Sequence, residues 1–161
     1  LALEAQAEQL AQQFSARANA FYIGRGLGFA IALEGAQKLK EISYIHAEAY
    51  PASELKHGPL ALVSAATPTV VALPDDGQLN KALGSIAEIQ ARNGPILAVG
   101  TDRCGQLAKT TDALLATPEV TLELSPAVIG VAMQLFAYHC ARTLGRDIDQ
   151  PRNLAKSVTV E

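Results

Sequence analysis

Glu34, Lys38 and Glu41 stand four and three residues apart, and on a helix turning roughly 100° per residue this keeps the three side chains within about 60° of one another. One face then carries two carboxylates and an ammonium. Two readings fit that face. The first is a ladder of i,i+4 and i,i+3 ion pairs in solvent. The second is a general base held beside a cation. The helical period places Ile45 on the same stripe, so the stripe borders buried surface, where desolvation raises a carboxylate's pKa and a neighbouring ammonium lowers it. That balance suits a base that moves a proton beside a carbonyl.

His57 lies in the stretch Glu54-Leu55-Lys56-His57-Gly58-Pro59, which reads as an ordered loop after Pro51. A ring there is presented rather than packed, and loops carry a large share of chemistry. His46 and His139 read as structural. Lys156 sits in the tail between Pro151 and the alternating Val158 and Val160. Such a segment has no reason to be ordered unless it docks, so residues 146–161 read as a lid. Its lysine becomes reactive towards a carbonyl if docking desolvates it. Gly24-Arg25-Gly26-Leu27-Gly28 follows an apolar run, but the third glycine comes too early for a dinucleotide fingerprint, and no acid closes a strand ~20 residues on. The turn either brings the start of a helix close to an anion or is a tight strand-to-helix connection and nothing more.

The elements that must carry these groups follow from periodicity. Leu3, Ala7, Leu10, Ala11 and Phe14 recur at helical spacing and predict an opening helix. Apolar runs at 20–23, 69–73, 96–99 and, more weakly, 113–116 predict strands. Val120, Leu122 and Leu124 alternate with polar residues and fit either a further strand or a surface loop. Helices are expected over 30–46, 79–92 and 127–144, with a short one near 60–63. Asn93-Gly94 stops the helix before it, and 127–144 is apolar enough to lie against the sheet or a partner subunit. Strands alternating with helices predict a parallel sheet covered on both faces.

The 161 residues are 49% apolar and contain no Trp, which fits one domain with a core of Ala, Leu, Ile and Val. A formal charge of −3 offers no basic stripe for a nucleic-acid backbone. Cys104 and Cys140 stand alone without metal-ligand spacing, so no metal is expected and a reducing cytoplasm fits best. No run reaches the ~18 apolar residues of a membrane span, and residues 1–13 lack the pattern of a secretion signal. The chain opens on Leu1 rather than Met, which predicts a fragment of something longer.

Three stretches together carry a resemblance. They are 33–50, with Glu34-Gly35, Lys38-Leu39-Lys40-Glu41 and His46-Ala47-Glu48-Ala49-Tyr50; 54–62, with Lys56-His57-Gly58-Pro59; and 149–161, with Gln150-Pro151-Arg152-Asn153-Leu154-Ala155-Lys156. In this order they resemble the signatures of the C-terminal half of the isomerase part of the glucosamine-6-phosphate synthase family, the glutamine:fructose-6-phosphate amidotransferases. The resemblance runs over about 21–161. It implies a single SIS (sugar isomerase) domain over 1–161, with an α/β, three-layer, flavodoxin-like fold: a five-stranded parallel sheet flanked by helices, and the lid tail at 146–161.

The similar enzymes open the ring of fructose-6-phosphate, add ammonia at the ketone and shift a proton from C1 to C2 to give glucosamine-6-phosphate, an amino-sugar precursor. Neither metal nor organic cofactor is implied. Carried over, Glu41 is the base that moves the proton, and Lys38 supports charge developing on the sugar's oxygen. Lys156 meets the open-chain ketone, and Ala155 lines the substrate or the route of ammonia. His57 is the histidine of ring opening, which in the family reaches a site in the neighbouring subunit, and Glu34 joins the substrate-binding face. The resemblance also implies a cytoplasmic homodimer acting on a phosphosugar. The family's glutaminase domain and its first SIS domain, with a Ser/Thr-rich phosphate loop, have no counterpart in these residues, so the isolated chain is expected to be nearly inactive. Gly26-Leu27-Gly28-Phe29 departs from the more polar residues expected there. Two rivals stand beside this reading: a phosphosugar-binding regulatory SIS domain, and a phosphosugar isomerase that uses no ammonia. The 149–161 tail argues against both.

Overall fold

The apolar runs become strands because β-branched and aliphatic side chains bury on both sides of a parallel ladder. A computed structural model describes residues 2–102 and 105–154. Its strands are β1 (Asn19–Gly24), β2 (His46–Pro51), β3 (Thr69–Leu73), β4 (Ile96–Gly100) and β5 (Ala113–Ala116). Its helices are α1 (Ala2–Phe14), α2 (Leu27–Ser43), α3 (Leu79–Gln90), the short α4 (Leu107–Thr110) and α5 (Ser125–Thr143), with 3-10 turns at Leu55–His57 and Pro59–Leu62. The sheet order is β2-β1-β3-β4-β5, and every neighbouring pair is parallel. This is the flavodoxin-like order of doubly wound sheets, as expected.

The two faces of the sheet hold separate cores. Ala20 and Tyr22 of β1 join Val70, Leu97 and Val99 under Leu39, Met133 and Phe136, on the side covered by α1, α2 and α5. The alternate residues Phe21 and Ile23 join Val71, Ile96 and Ala98 under Ile86 and Ile89 of α3. Period-two alternation thus sends the residues of the central strands β3 and β4 into one apolar layer or the other.

Two expectations are corrected. The helix expected over 30–46 begins at Leu27 and ends at Ser43, and His46–Pro51, read as the helix end and a loop, is an edge strand. The reversal is local. Ser43 Oγ donates to the Leu39 carbonyl at 2.6 Å and accepts from the Ile45 N–H at 3.2 Å. Tyr44 takes a left-handed φ of 65°, and His46 N then bonds Ala18 O at 3.0 Å to start the ladder. Ile45 therefore does not extend the helical stripe of Glu34, Lys38 and Glu41; it turns into the core at 6% exposure. The second correction concerns 120–124, where the strand option fails. Leu124 N and Ser125 N both bond Thr121 O at 3.1 Å, a turn that launches α5. The fifth strand is β2.

Candidate functional site

α2 is aimed by the turn that precedes it. Gly24 ends β1 where any Cβ would lie 2.1 Å from the Gly28 carbonyl carbon, and Gly26 has a φ of 50°, so this tight strand-to-helix connection requires glycine. The inner face of α2, with Ile31, Ala32, Gly35, Ala36 and Leu39, is buried. At Gly35 a Cβ would meet Met133 Sδ of α5 at 2.4 Å and the Tyr22 ring at 2.9 Å. That close approach fixes the rotation of the helix and turns Glu34, Lys38 and Glu41 outward together.

On that outer face Lys38 Nζ donates to Glu41 Oε2 at 2.9 Å and lies 3.8 Å from Glu34 Oε1. Gln37 Nε2 donates to the other oxygen, Glu41 Oε1, at 2.8 Å. The Glu41 side chain is 26% exposed against 47% for Glu34, so the carboxylate nearer the ammonium is also the more sheltered. The hydrogen bond from Lys38, followed by that from Gln37, holds Glu41 below the usual carboxylate range, with burial opposing. The hydrogen bond to Glu41 raises Lys38 in turn, against its own desolvation. The balance expected between burial and ammonium is thus decided by the ammonium. Glu41 stands ionised and able to accept a proton, and Lys38 keeps its charge, with three N–H donors to share between carboxylates and an incoming oxygen. Glu34 also rims a groove of about 360 Å³ between α2 and α5, lined by Leu27, Ile31, Pro126 and Ala127.

His57 is carried by a separate element. The chain after β2 is fastened by Ala52, whose N–H bonds Gly24 O at 2.9 Å and whose carbonyl accepts from Ser85 Oγ at 3.3 Å, and by Leu55, which is fully buried. Between these pins and Pro59, the Leu55–His57 turn leaves Lys56 and His57 exposed. Among the described residues no hydrogen bond or ion pair joins the His57 ring to Glu41 or Lys38. Ala155 and Lys156 lie outside the described residues, as does Cys104. No group of three or more His, Cys, Asp or Glu among the described residues could hold a metal ion.

Two features were missed from sequence. Gln37 is the second donor to Glu41, and its i,i+4 spacing was a usable signal. The other is a crevice beyond the ends of β1 and β3, where the strand order reverses and doubly wound sheets place ligands. It is lined by Arg25, Leu73, Pro74, Asp76 and Gln78, and Arg25 Nε is buried there with no hydrogen-bond partner among the described residues. No spacing marks this pair of loops; only the topology brings them together.

The fold, a doubly wound parallel sheet with a paired carboxylate and ammonium on its second helix, defines a flavodoxin-like α/β domain. The chain belongs to the SIS domain family, whose model matches residues 13–144. It is 51% identical over 162 residues to the glutamine--fructose-6-phosphate aminotransferase [isomerizing] of Xanthomonas campestris pv. campestris, covering 100% of this chain and 26% of that protein. It is 50% identical over 153 residues to the enzyme of the same name from Bacteroides thetaiotaomicron, covering 95% and 25%. The chain therefore spans about a quarter of the length of these curated relatives, matching their C-terminal part. Among solved structures it is similar to the C-terminal domain of glucosamine-fructose-6-phosphate aminotransferase from Francisella tularensis, with a TM-score of 0.86, 41% identity, and 93% of this chain and 43% of that one covered.

Proposed function

We propose that this chain supplies the proton-transfer half of the isomerase site of a glutamine:fructose-6-phosphate aminotransferase. Fructose-6-phosphate binds in open-chain form, and ammonia displaces water at C2 to leave an imine. Glu41 removes the proton from C1, and the electron pair moves into the C1–C2 bond to give an enamine. The proton then returns at C2, the C1 hydroxyl becomes the aldehyde, and the product is glucosamine-6-phosphate. Lys38 faces the oxygen on which charge develops in the two proton transfers, where a preformed cation is worth most because it need not reorganise. Glu34 holds a sugar hydroxyl on the same face. His57 serves ring opening, from the neighbouring subunit of a homodimer. Lys156 meets the ketone from the tail, with Ala155 beside it. The ammonia comes from glutamine, hydrolysed by a domain that the matching relatives have room for in their other three quarters. The place of work is the cytoplasm; among the described residues no helix is long and apolar enough to cross a membrane.

The observation that carries this reading is the 2.9 Å contact of Lys38 with a sheltered Glu41, a base and a cation presented together on a family member of the right kind. Glu41→Gln in a full-length enzyme carrying this chain as its C-terminal part tests it. Aminosugar formation is expected to disappear while glutamine hydrolysis continues. Normal product from that variant would overturn the role of Glu41.

A further inference from the structure

The segment that follows α5 is tied to the C-terminal end of α2 through one side chain. The Tyr44 ring lies 4.3 Å from the Arg152 guanidinium carbon and 5.3 Å from that of Arg146, and its hydroxyl accepts the Arg152 backbone N–H at 2.8 Å. Between the two arginines the chain is held in shape by Asp147, whose Oδ1 accepts from Asp149 N and Gln150 N at 3.0 Å each. Tyr44 is itself the left-handed cap of α2, three residues beyond Glu41. Both cations also sit at the end of the helix where the dipole and the unsatisfied carbonyls favour positive charge. Nothing in the packing of the core requires this arrangement, since Arg146 and Arg152 are both exposed.

We propose that Tyr44 is a positioning residue: clamped by Arg146 and Arg152, it fixes the start of the C-terminal tail beside the helix that carries Lys38 and Glu41. The inference rests on the reading of the reaction given above. Lys156 lies four residues beyond Arg152, so its Cα stays within roughly 14 Å of the clamp whatever the intervening conformation. Loss of the clamp removes these contacts between the start of the tail and the end of α2.

The test uses Tyr44→Gly, which removes the ring yet suits the backbone, because glycine adopts a φ of 65° without strain. Tyr44→Phe keeps both stacked cations and loses only the hydroxyl. Tryptic cleavage after Arg152 reads the clamp directly in this chain, and kcat and KM for aminosugar formation read its consequence in a full-length enzyme carrying it. Losing two stacked cations and a hydrogen bond is expected to speed cleavage after Arg152 about tenfold and to lower kcat by a similar factor. KM for fructose-6-phosphate should change less than kcat, and Tyr44→Phe should restore most of both losses. Equal cleavage rates for Tyr44→Gly and the unsubstituted chain would overturn the clamp. Faster cleavage with unchanged kcat would overturn its positioning role. Clamp-dependent cleavage in an unsubstituted enzyme that forms no aminosugar would overturn the reading of the reaction, not the clamp.

Discussion

The Lys38 ammonium sits 0.9 Å closer to Glu41 than to Glu34, at 2.9 Å against 3.8 Å, so the two acids on the outer face of α2 are not equivalent. Glu41, held by Lys38 and Gln37, is the pinned partner, and Glu34 is the looser one. The asymmetry distinguishes two carboxylates that lie about two turns apart on one helix face.

Lys38→Met should expose that difference in the pH dependence of the reaction. The ammonium holds Glu41 below its ordinary value of 4.5, so its removal moves the acid limb of kcat/KM to higher pH. The maximal rate should fall about 10²- to 10³-fold, the usual cost of deleting one group that faces developing charge. A pH–rate profile of a full-length enzyme carrying the substitution checks both. An unmoved acid limb would separate Lys38 from the titration of the base.

The same pair has a small stability signature. Glu41 has a depressed folded-state pKa, so its contribution is present above the unfolded value of 4.5 and is lost as pH falls through the lower folded value. Lys38 is raised above 10.5, so its contribution is present below that value and lost at higher pH. Glu41→Gln should lower the melting temperature at pH 7 by only about 1–2 °C, as for a partly exposed ion pair. The difference from the unsubstituted chain should shrink below pH 4.5. Thermal melts at pH 7 and pH 3 measure it.

Gly35→Ala and Gly84→Ala should act in opposite directions. At Gly35 the new methyl would collide with Met133 and Tyr22, separating α2 from α5 and costing about 1–3 kcal/mol. At Gly84, in the middle of α3 and with nothing within 4 Å of the added atom, alanine should add up to about 1 kcal/mol through helix propensity. Denaturant midpoints of the two variants decide the signs.

Cys140 should be silent to alkylation in the folded protein. It is fully buried in α5, and desolvation pushes its thiol up to about 12, which removes the nucleophilic thiolate at neutral pH. Iodoacetamide at pH 8 followed by peptide mapping should find the Cys140 peptide unmodified until denaturant unfolds the chain.

The strands with continuous apolar runs were legible because both faces of a central parallel strand are buried. Thr69–Leu73 and Ile96–Gly100 have no polar side to confuse the pattern. β2 was not legible for the converse reason. At the edge of the sheet its residues His46, Glu48 and Tyr50 face partly into solvent, and Ala and Glu are weak strand formers. The helix was expected to run on as far as His46, and the reversal at Tyr44 is a left-handed residue with no glycine to announce it. The alternation of Val120, Leu122 and Leu124 misled in the opposite sense, since the last two are exposed at 39% and 57% on a turn. Spacing did place Glu34, Lys38 and Glu41 on one face, while the roles of these residues came from the resemblance. The crevice at Arg25 and the stacking around Tyr44 join residues far apart in sequence, which no local pattern encodes.

The hydrogen bond from Arg152 to Tyr44 spans 108 residues of sequence, and this orders events at the ribosome. At about 5–20 residues per second, roughly 5 to 20 s separate the synthesis of Tyr44 from that of the arginine that covers it. For most of that interval β1, α2 and β2 are all made and can pair with one another, while the tyrosine ring still waits for Arg146 and Arg152. The helix that bears the acids is therefore complete well before the arginine that covers its cap.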